Sequence, residues 1–299
     1  MIKQGDAWGL AQGKSLTSDT ILKFERKGQS HLLLNEYLTT QIAKTLGYRV
    51  SEMTFLHVVG FPVLEIKRFD RQTTVGADGK LYVKRRHTVD ACQALGLPST
   101  MKYERVSDGL SSTMADSVGV TFAKLFSLEA FAADRMAFVT DLLDWMLFNV
   151  VMGGSDAHGK NLSFFVGKKG LVMAPWYDLV SVELIDGVDH TMAMSVRGVF
   201  AMDGIGIKEL LNECDKVGVT SGLLSERLTR LLEGLTALDL GTLLPDGLTE
   251  SEKAVAKRFE DFIKVKIKKW HRALEIKAKG WGDVRGFRAK RRRNVGRLE

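Results

Sequence analysis

Asp156, Asn161 and Asp178 are the residues of this chain whose types and spacing could carry a reaction. Asp156 precedes Asn161 by five positions, the D-x-x-x-x-N spacing of a phosphotransferase catalytic loop. In such a loop the first aspartate takes the proton of the attacking hydroxyl, while the asparagine and a later aspartate hold Mg²⁺ on the phosphates. Oxygen ligands of this kind suit a hard cation. Two apolar runs, 162–166 and 171–174, flank Gly167-Lys168-Lys169-Gly170 and predict a β-hairpin. A hairpin brings its open ends together, so Asn161 before it and Asp178 shortly after it should converge. Taken singly, Asp156 also fits a plain turn, Asp178 a helix N-cap and Asn161 a strand edge. Three positions matching one site outweigh those separate readings.

The elements around these residues follow from hydrophobic period and punctuation. Residues 134–152 read as a helix, with Phe138, Leu142, Trp145, Phe148 and Met152 at helical spacing, and Gly153-Gly154 ends it. The run 20–24 is rich in strand formers, and 31–46 is an amphipathic helix closed by Gly47. Strand lysine followed by helix glutamate is the kinase order, with Lys23 on the α/β-phosphates and Glu36 steadying it. Residues 63–66 form a buried strand leading to Lys67-Arg68-Phe69, a hinge whose main chain would hydrogen-bond adenine. His158 and Lys160 would donate to phosphate oxygens. For Lys160 a solvated surface lysine is the competing reading. Asp156-x-His158 also resembles the first motif of metal-dependent phosphoesterases, but His31, His57, His87, His190 and His271 form no H-x-H pair to complete such a site.

The stretch Gly153-Gly154-Ser155-Asp156-Ala157-His158-Gly159-Lys160-Asn161-Leu162-Ser163, followed by Ala174-Pro175-Trp176-Tyr177-Asp178-Leu179-Val180-Ser181, resembles the catalytic core of the HipA family. Asn35-Glu36-Tyr37 resembles part of that family's first helix, and Lys67-Arg68-Phe69-Asp70-Arg71 its hinge segment. The run from Arg86 to Pro98, with Lys102-Tyr103-Glu104, resembles the segment that follows. The resemblance runs from about residue 21 to 198. It implies a serine/threonine protein kinase, the toxin of a bacterial toxin–antitoxin system. Its catalytic base would be Asp156. ATP would be bound by Lys23, Lys67, Arg68, Phe69, His158, Gly159, Lys160, Asn161, Tyr177 and Asp178, and Mg²⁺ by Asn161 and Asp178. Implied partners are a protein substrate (an aminoacyl-tRNA synthetase or another translation factor, and the kinase itself), a helix-turn-helix antitoxin and, through it, operator DNA. Members of the family usually carry a further N-terminal subdomain and a Gly-rich phosphate loop. Residues 9–14 echo that loop faintly, but only eight residues separate Lys14 from Lys23. The resemblance therefore implies an abbreviated lobe, a truncated start, or a piece supplied by another chain.

Composition sets the remaining bounds. A chain of 299 residues, 45% apolar, can bury a large core. The expected fold is α+β: a two-lobed protein-kinase-like architecture with an abbreviated N-terminal lobe (1–69), a mostly helical C-terminal lobe (70–279) and a basic tail (280–299). Asp78-Gly79 predicts a hairpin within 72–82, and 209–243 and 249–279 read as helices. No run of about 18 apolar residues exists, and the first 13 residues hold no signal-like core, which predicts a cytoplasmic protein without membrane partners. Cys92 and Cys214 have no metal or framework spacing. Of the net charge of +7, residues 264–299 carry +11 and the rest −4. That end is expected to be a flexible arm, either simply solvated or attracted to DNA phosphates. Two other functions fit parts of the pattern: a small-molecule or lipid kinase, since Asp156-x-His158-x-x-Asn161 also resembles phosphoinositide kinases, and a non-catalytic fragment binding an antitoxin and DNA.

Overall fold

The computed structural model describes residues 1–4, 7–10, 18–25, 31–105 and 118–293. After a short hairpin of β1 (Ile2–Gln4) and β2 (Ala7–Gly9), β3 (Thr20–Phe24) leads to helix α1 (Leu32–Thr45), β4 (Met53–Val58) and β5 (Phe61–Lys67). These strands form an antiparallel sheet in the order β3-β5-β4. The central strand buries Val63, Leu64 and Ile66, and its register sets Lys23 opposite Leu64. Helix α1 closes this sheet with Leu34, Leu38 and Ile42, all fully buried, and ends where Gly47 turns into left-handed backbone at φ +86°. Residues 11–14 of the phosphate-loop echo lie outside the described residues.

Strands β6 (Arg71–Val75) and β7 (Leu81–Arg85) pair around Asp78-Gly79, with Gly79 at φ +73°, as the turn chemistry predicts. Next come β8 (Thr88–Asp90) and the single turn α2 (Ala91–Ala94), capped by Asp90 and Gln93. Helices α3 (Phe122–Ser127) and α4 (Arg135–Met152) follow. Asp134 caps α4, Gly153 ends it at φ +72°, and its Trp145, Leu147, Phe148 and Val151 form the middle of the core. The expected hairpin is present: β9 (Ser163–Gly167) pairs with β10 (Gly170–Met173) around Lys168-Lys169, and β9 also pairs with β8. A last hairpin, β11 (Thr191–Val196) with β12 (Val199–Ala201), precedes α5 (Ile207–Lys216), α6 (Ser221–Ala237) and α7 (Glu250–Arg293).

Two sequence expectations are corrected here. The helix predicted over 209–243 is split. Gly218, at φ +77°, stops α5, and the Thr220 hydroxyl accepts from the Leu223 amide at 3.2 Å to start α6. Of the flexible arm expected over 280–299, residues 280–293 instead continue α7, which runs through Gly280 and Gly282 to Arg293, and 294–299 lie outside the described residues. Each glycine costs a helix only about 1 kcal/mol against alanine, and the surrounding Lys, Ala and Arg residues are strong helix formers.

Candidate active site

The two halves of the chain meet around one ammonium. Lys23 Nζ donates to Glu36 Oε1 and Oε2 at 2.7 and 2.9 Å and to Asp178 Oδ1 at 2.6 Å. Glu36 is 3% exposed on the sheet-facing side of α1, so its charge is balanced by Lys23 rather than by water. Burial alone would lower the Lys23 pKa, but the two carboxylates outweigh it and hold the ammonium above its ordinary value. Burial pushes the Glu36 carboxyl up, against the pull of Lys23.

Asp178 sits where the hairpin predicts. Asn161 Nδ2 donates to Asp178 Oδ2 at 2.8 Å, so the amide and carboxylate at the hairpin's open end do converge. The strand-like segment before Asp178 is held by Trp176, whose ring stacks on Tyr48 at 4.5 Å and whose carbonyl accepts from the Ser51 amide at 2.8 Å. After it, Asn35 clamps Ser181 in both directions: Nδ2 donates to the Ser181 carbonyl at 2.9 Å and Oδ1 accepts from its amide at 2.8 Å. Between these anchors Asp178 adopts left-handed backbone, φ +57°, a conformation aspartate tolerates better than most residues.

The Lys23–Asp178 pair lies between two adjoining clefts and lines both. One, of about 850 Å³, holds Tyr103, Asn149, Asp156 and Asn161. The other, of about 430 Å³, is walled by Ile21, Met53, Ile66, Phe69 and Tyr177 beside the hinge. Phe69 and Tyr177 face each other at 5.5 Å between ring centroids. The smaller cleft, with its aromatic and aliphatic walls, could take a flat base, and the larger one, which holds Asp156, Asn161 and Asp178, could take a phosphate chain with its metal. Asn161 and Asp178 supply the oxygens that a Mg²⁺ ion, which keeps several waters and binds few protein groups, would need. Holding it requires the Asn161 amide to turn its oxygen, now 3.4 Å from the His158 amide, toward the carboxylate.

Three predicted ligands are placed differently. His158 and Gly159 line neither cleft. His158 Nε2 lies 2.8 Å from Lys102 Nζ, and its Nδ1 is buried without a hydrogen-bond partner among the described residues. Burial lowers its pKa, so the ring is neutral, with Nε2 accepting from Lys102. Gly159 is there for close packing: its amide donates to the Lys102 carbonyl at 2.9 Å, and a Cβ would sit 2.6 Å from a Val120 methyl. Lys160 reaches the second cleft, but its ammonium donates to Asp90 Oδ2 at 2.7 Å, a partner placed by the β8–β9 pairing. At the hinge, the Lys67 and Arg68 amides already donate to the Glu52 and Asp19 carbonyls at 2.9 and 2.8 Å. Neither N–H is free for a base, which leaves recognition to Phe69 and to carbonyls. The Lys67 side chain pairs with Glu52 at 3.2 Å, and Arg68 makes a bidentate pair with Asp70, both bonds 2.9 Å. Sequence reasoning gave no role to Tyr103, whose hydroxyl donates to Asp156 Oδ1 at 2.9 Å, nor to Lys102, Asp90 or Asn35.

This fold and site define a class: the family model for the HipA-like C-terminal domain matches residues 6–237, and the chain belongs to that family. Among its relatives is the serine/threonine-protein kinase toxin HipA of Shewanella oneidensis, 39% identical over 228 residues, covering 76% of this chain and 51% of that protein. A protein of Sinorhizobium fredii that carries the kinase name Y4mE is 36% identical over 216 residues, covering 71% of this chain and 47% of its own. The chain thus spans about half the length of the curated relatives it matches. In three dimensions it is similar to HipA in a Shewanella oneidensis complex of HipA, HipB and operator DNA, with TM-score 0.79 and 34% identity over 87% of this chain and 60% of that one. The α+β, kinase-like fold and the family expected from the sequence are both borne out.

Proposed function

We propose that this chain transfers the γ-phosphoryl group of ATP, with Mg²⁺, to serine or threonine hydroxyls of a protein and of itself. The observation that carries this reading is Lys23 bridging Glu36 and Asp178, the arrangement of strand lysine, helix glutamate and later aspartate that protein kinases use. Lys23 positions the phosphates and Glu36 fixes Lys23. Phe69 and Tyr177 enclose the base. Asp156, on the loop that opens into the larger cleft, accepts the proton of the acceptor hydroxyl. The metal, when bound, neutralises charge on the phosphates. Lys160, tied to Asp90, orders the loop between Asp156 and Asn161 rather than touching phosphate.

The partners follow from the relatives. The HipA complex with HipB and operator DNA supports a toxin role with an antitoxin and DNA as partners, and the family resemblance adds a helix-turn-helix antitoxin and a cytoplasmic setting. Family resemblance points to an aminoacyl-tRNA synthetase or another translation factor as substrate. No helix among the described residues is long and apolar enough to cross a membrane. ADP release and ³²P transfer to the chain or to a bacterial lysate test the reading. Wild type should label protein, and Asp156→Asn should cut transfer to a small residual rate while binding ATP as well as wild type does. Undiminished labelling by Asp156→Asn would overturn the role given to Asp156, and a wild type that binds no nucleotide would overturn the kinase reading itself.

A further inference from the structure

We propose that Tyr103 is a positioning residue for the phosphoryl-transfer step: its hydroxyl holds one oxygen of Asp156 so that the other faces the acceptor hydroxyl. The inference rests on the kinase reading and adds to it a residue outside the Asp156–Asp178 stretch. Tyr103 donates to Asp156 Oδ1 at 2.9 Å, and both residues line the larger cleft. Burial, and then the charge of Asp156, push the Tyr103 phenol up to about 12, so the donor keeps its proton throughout the working pH range.

The backbone around Tyr103 is built to fix that hydroxyl. The Lys102 carbonyl accepts from the Gly159 amide at 2.9 Å, which ties the near side of Tyr103 to the catalytic loop. On the far side the Glu104 amide donates to the Ala193 carbonyl at 2.9 Å, while the Ala193 amide donates to the Ser155 carbonyl at 2.7 Å. The Glu104 carboxylate accepts from the Ser195 amide at 2.6 Å and its hydroxyl at 3.0 Å. Residues 102–104 are thus wedged between the catalytic loop and β11. Their side chains take turns: Lys102 to His158, Tyr103 to Asp156, Glu104 to Ser195. The Tyr103 ring also meets His158 edge-on at 5.1 Å. Space is reserved for this path, since a Cβ on Gly119 would lie 1.6 Å from the Tyr103 carbonyl oxygen. A general base gains from such a constraint because small errors in orientation cost rate steeply.

The test uses the full chain and Tyr103→Phe, which keeps the ring against His158 and removes only the hydroxyl. The expected result is a kcat lower by roughly 10- to 100-fold, with KM for ATP and Mg-nucleotide affinity within about twofold of wild type. In an Asp156→Asn background the same substitution should change residual turnover little, because the hydroxyl acts through Asp156. An unchanged kcat, or a KM for ATP that rises in step as kcat falls, overturns the proposal. A second measurement does not depend on turnover. A fluorotyrosine at position 103, more acidic than tyrosine, should ionise at higher pH beside Asp156 than in Asp156→Asn. Equal midpoints would show that the two side chains are not bonded, and would do so even if the kinase reading itself had failed.

Discussion

Lys23 and Asp178 are 155 residues apart in the chain and 2.6 Å apart in space, and the same lysine nitrogen holds Glu36 of α1 at 2.7 Å. One ammonium thus joins the β3 strand, the first helix and the end of the β9–β10 hairpin. Removing it isolates Glu36, which has almost no contact with water. Lys23→Met should therefore cost about 3 kcal/mol of stability, as breaking one side of a buried pair does, and should also abolish Mg-nucleotide binding. Adding Glu36→Gln should restore much of the stability and none of the binding. Chemical denaturation and calorimetric titration of the three variants separate the two effects. A double variant as unstable as Lys23→Met would show that the loss comes from packing and not from the stranded carboxylate.

Asp178 is held at φ +57°, where most side chains are strained and asparagine is tolerated nearly as well as aspartate. Asp178→Asn should fold with wild-type stability and lose Mg-dependent nucleotide binding. Asp178→Ala should lose the same binding and a further 1 kcal/mol or so of stability from backbone strain. Thermal melts of the two variants decide this, and equal melting temperatures would show that the backbone there carries no strain of consequence.

The convergence of these side chains was legible because its geometry is local. A two-residue turn between apolar runs forces Asn161 and Asp178 together, and strand followed by helix gives Lys23 and Glu36. The supporting residues were not legible, because their partners are remote. Tyr103 meets Asp156 across 53 residues, Lys102 meets His158 across 56, and Asp90 meets Lys160 across 70. No periodicity encodes such pairs. They exist because β8 joins β9 and because residues 102–104 are wedged under the loop. That is also why His158 and Lys160, read as phosphate ligands from their place in the motif, turn out to be held by neighbours the motif does not contain. At the hinge, the Glu52 and Asp19 carbonyls already hold two of the amides that the sequence reading gave to adenine.

Glu213 offers a pH test away from the site. It is buried in α5, where its carboxylate accepts from the Arg197 amide at 3.0 Å. Burial raises its pKa in the folded protein above the ordinary glutamate value, against the pull of Lys216. The folded state therefore binds its proton more readily than the unfolded state does. The cost of the buried charge is present above the folded pKa and relieved as pH falls through it toward the ordinary value near 4.5. Glu213→Gln, which keeps an acceptor for Arg197, should melt higher than wild type at pH 7.5, and the difference should close as pH approaches 4.5. A difference that is constant with pH would assign the effect to packing.

The basic end of the chain yields the last prediction. Seven Lys and Arg residues lie between Arg285 and Arg297, and helix α7 carries six of them as far as Arg293. A helix that neutralises DNA phosphates releases counterions, with a slope of about −0.9 in log K against log salt for each phosphate contacted on B-DNA. Deleting 280–299 should flatten the salt dependence of duplex binding and leave ATP binding unchanged, since the two clefts proposed for the nucleotide are lined by residues between 21 and 200. Sequence preference should not move, because phosphate contacts position a protein without reading bases. Electrophoretic shifts at several salt concentrations, for the full chain and the deletion, measure both slopes. Equal slopes would mean that the end of α7 stays solvated when DNA is bound.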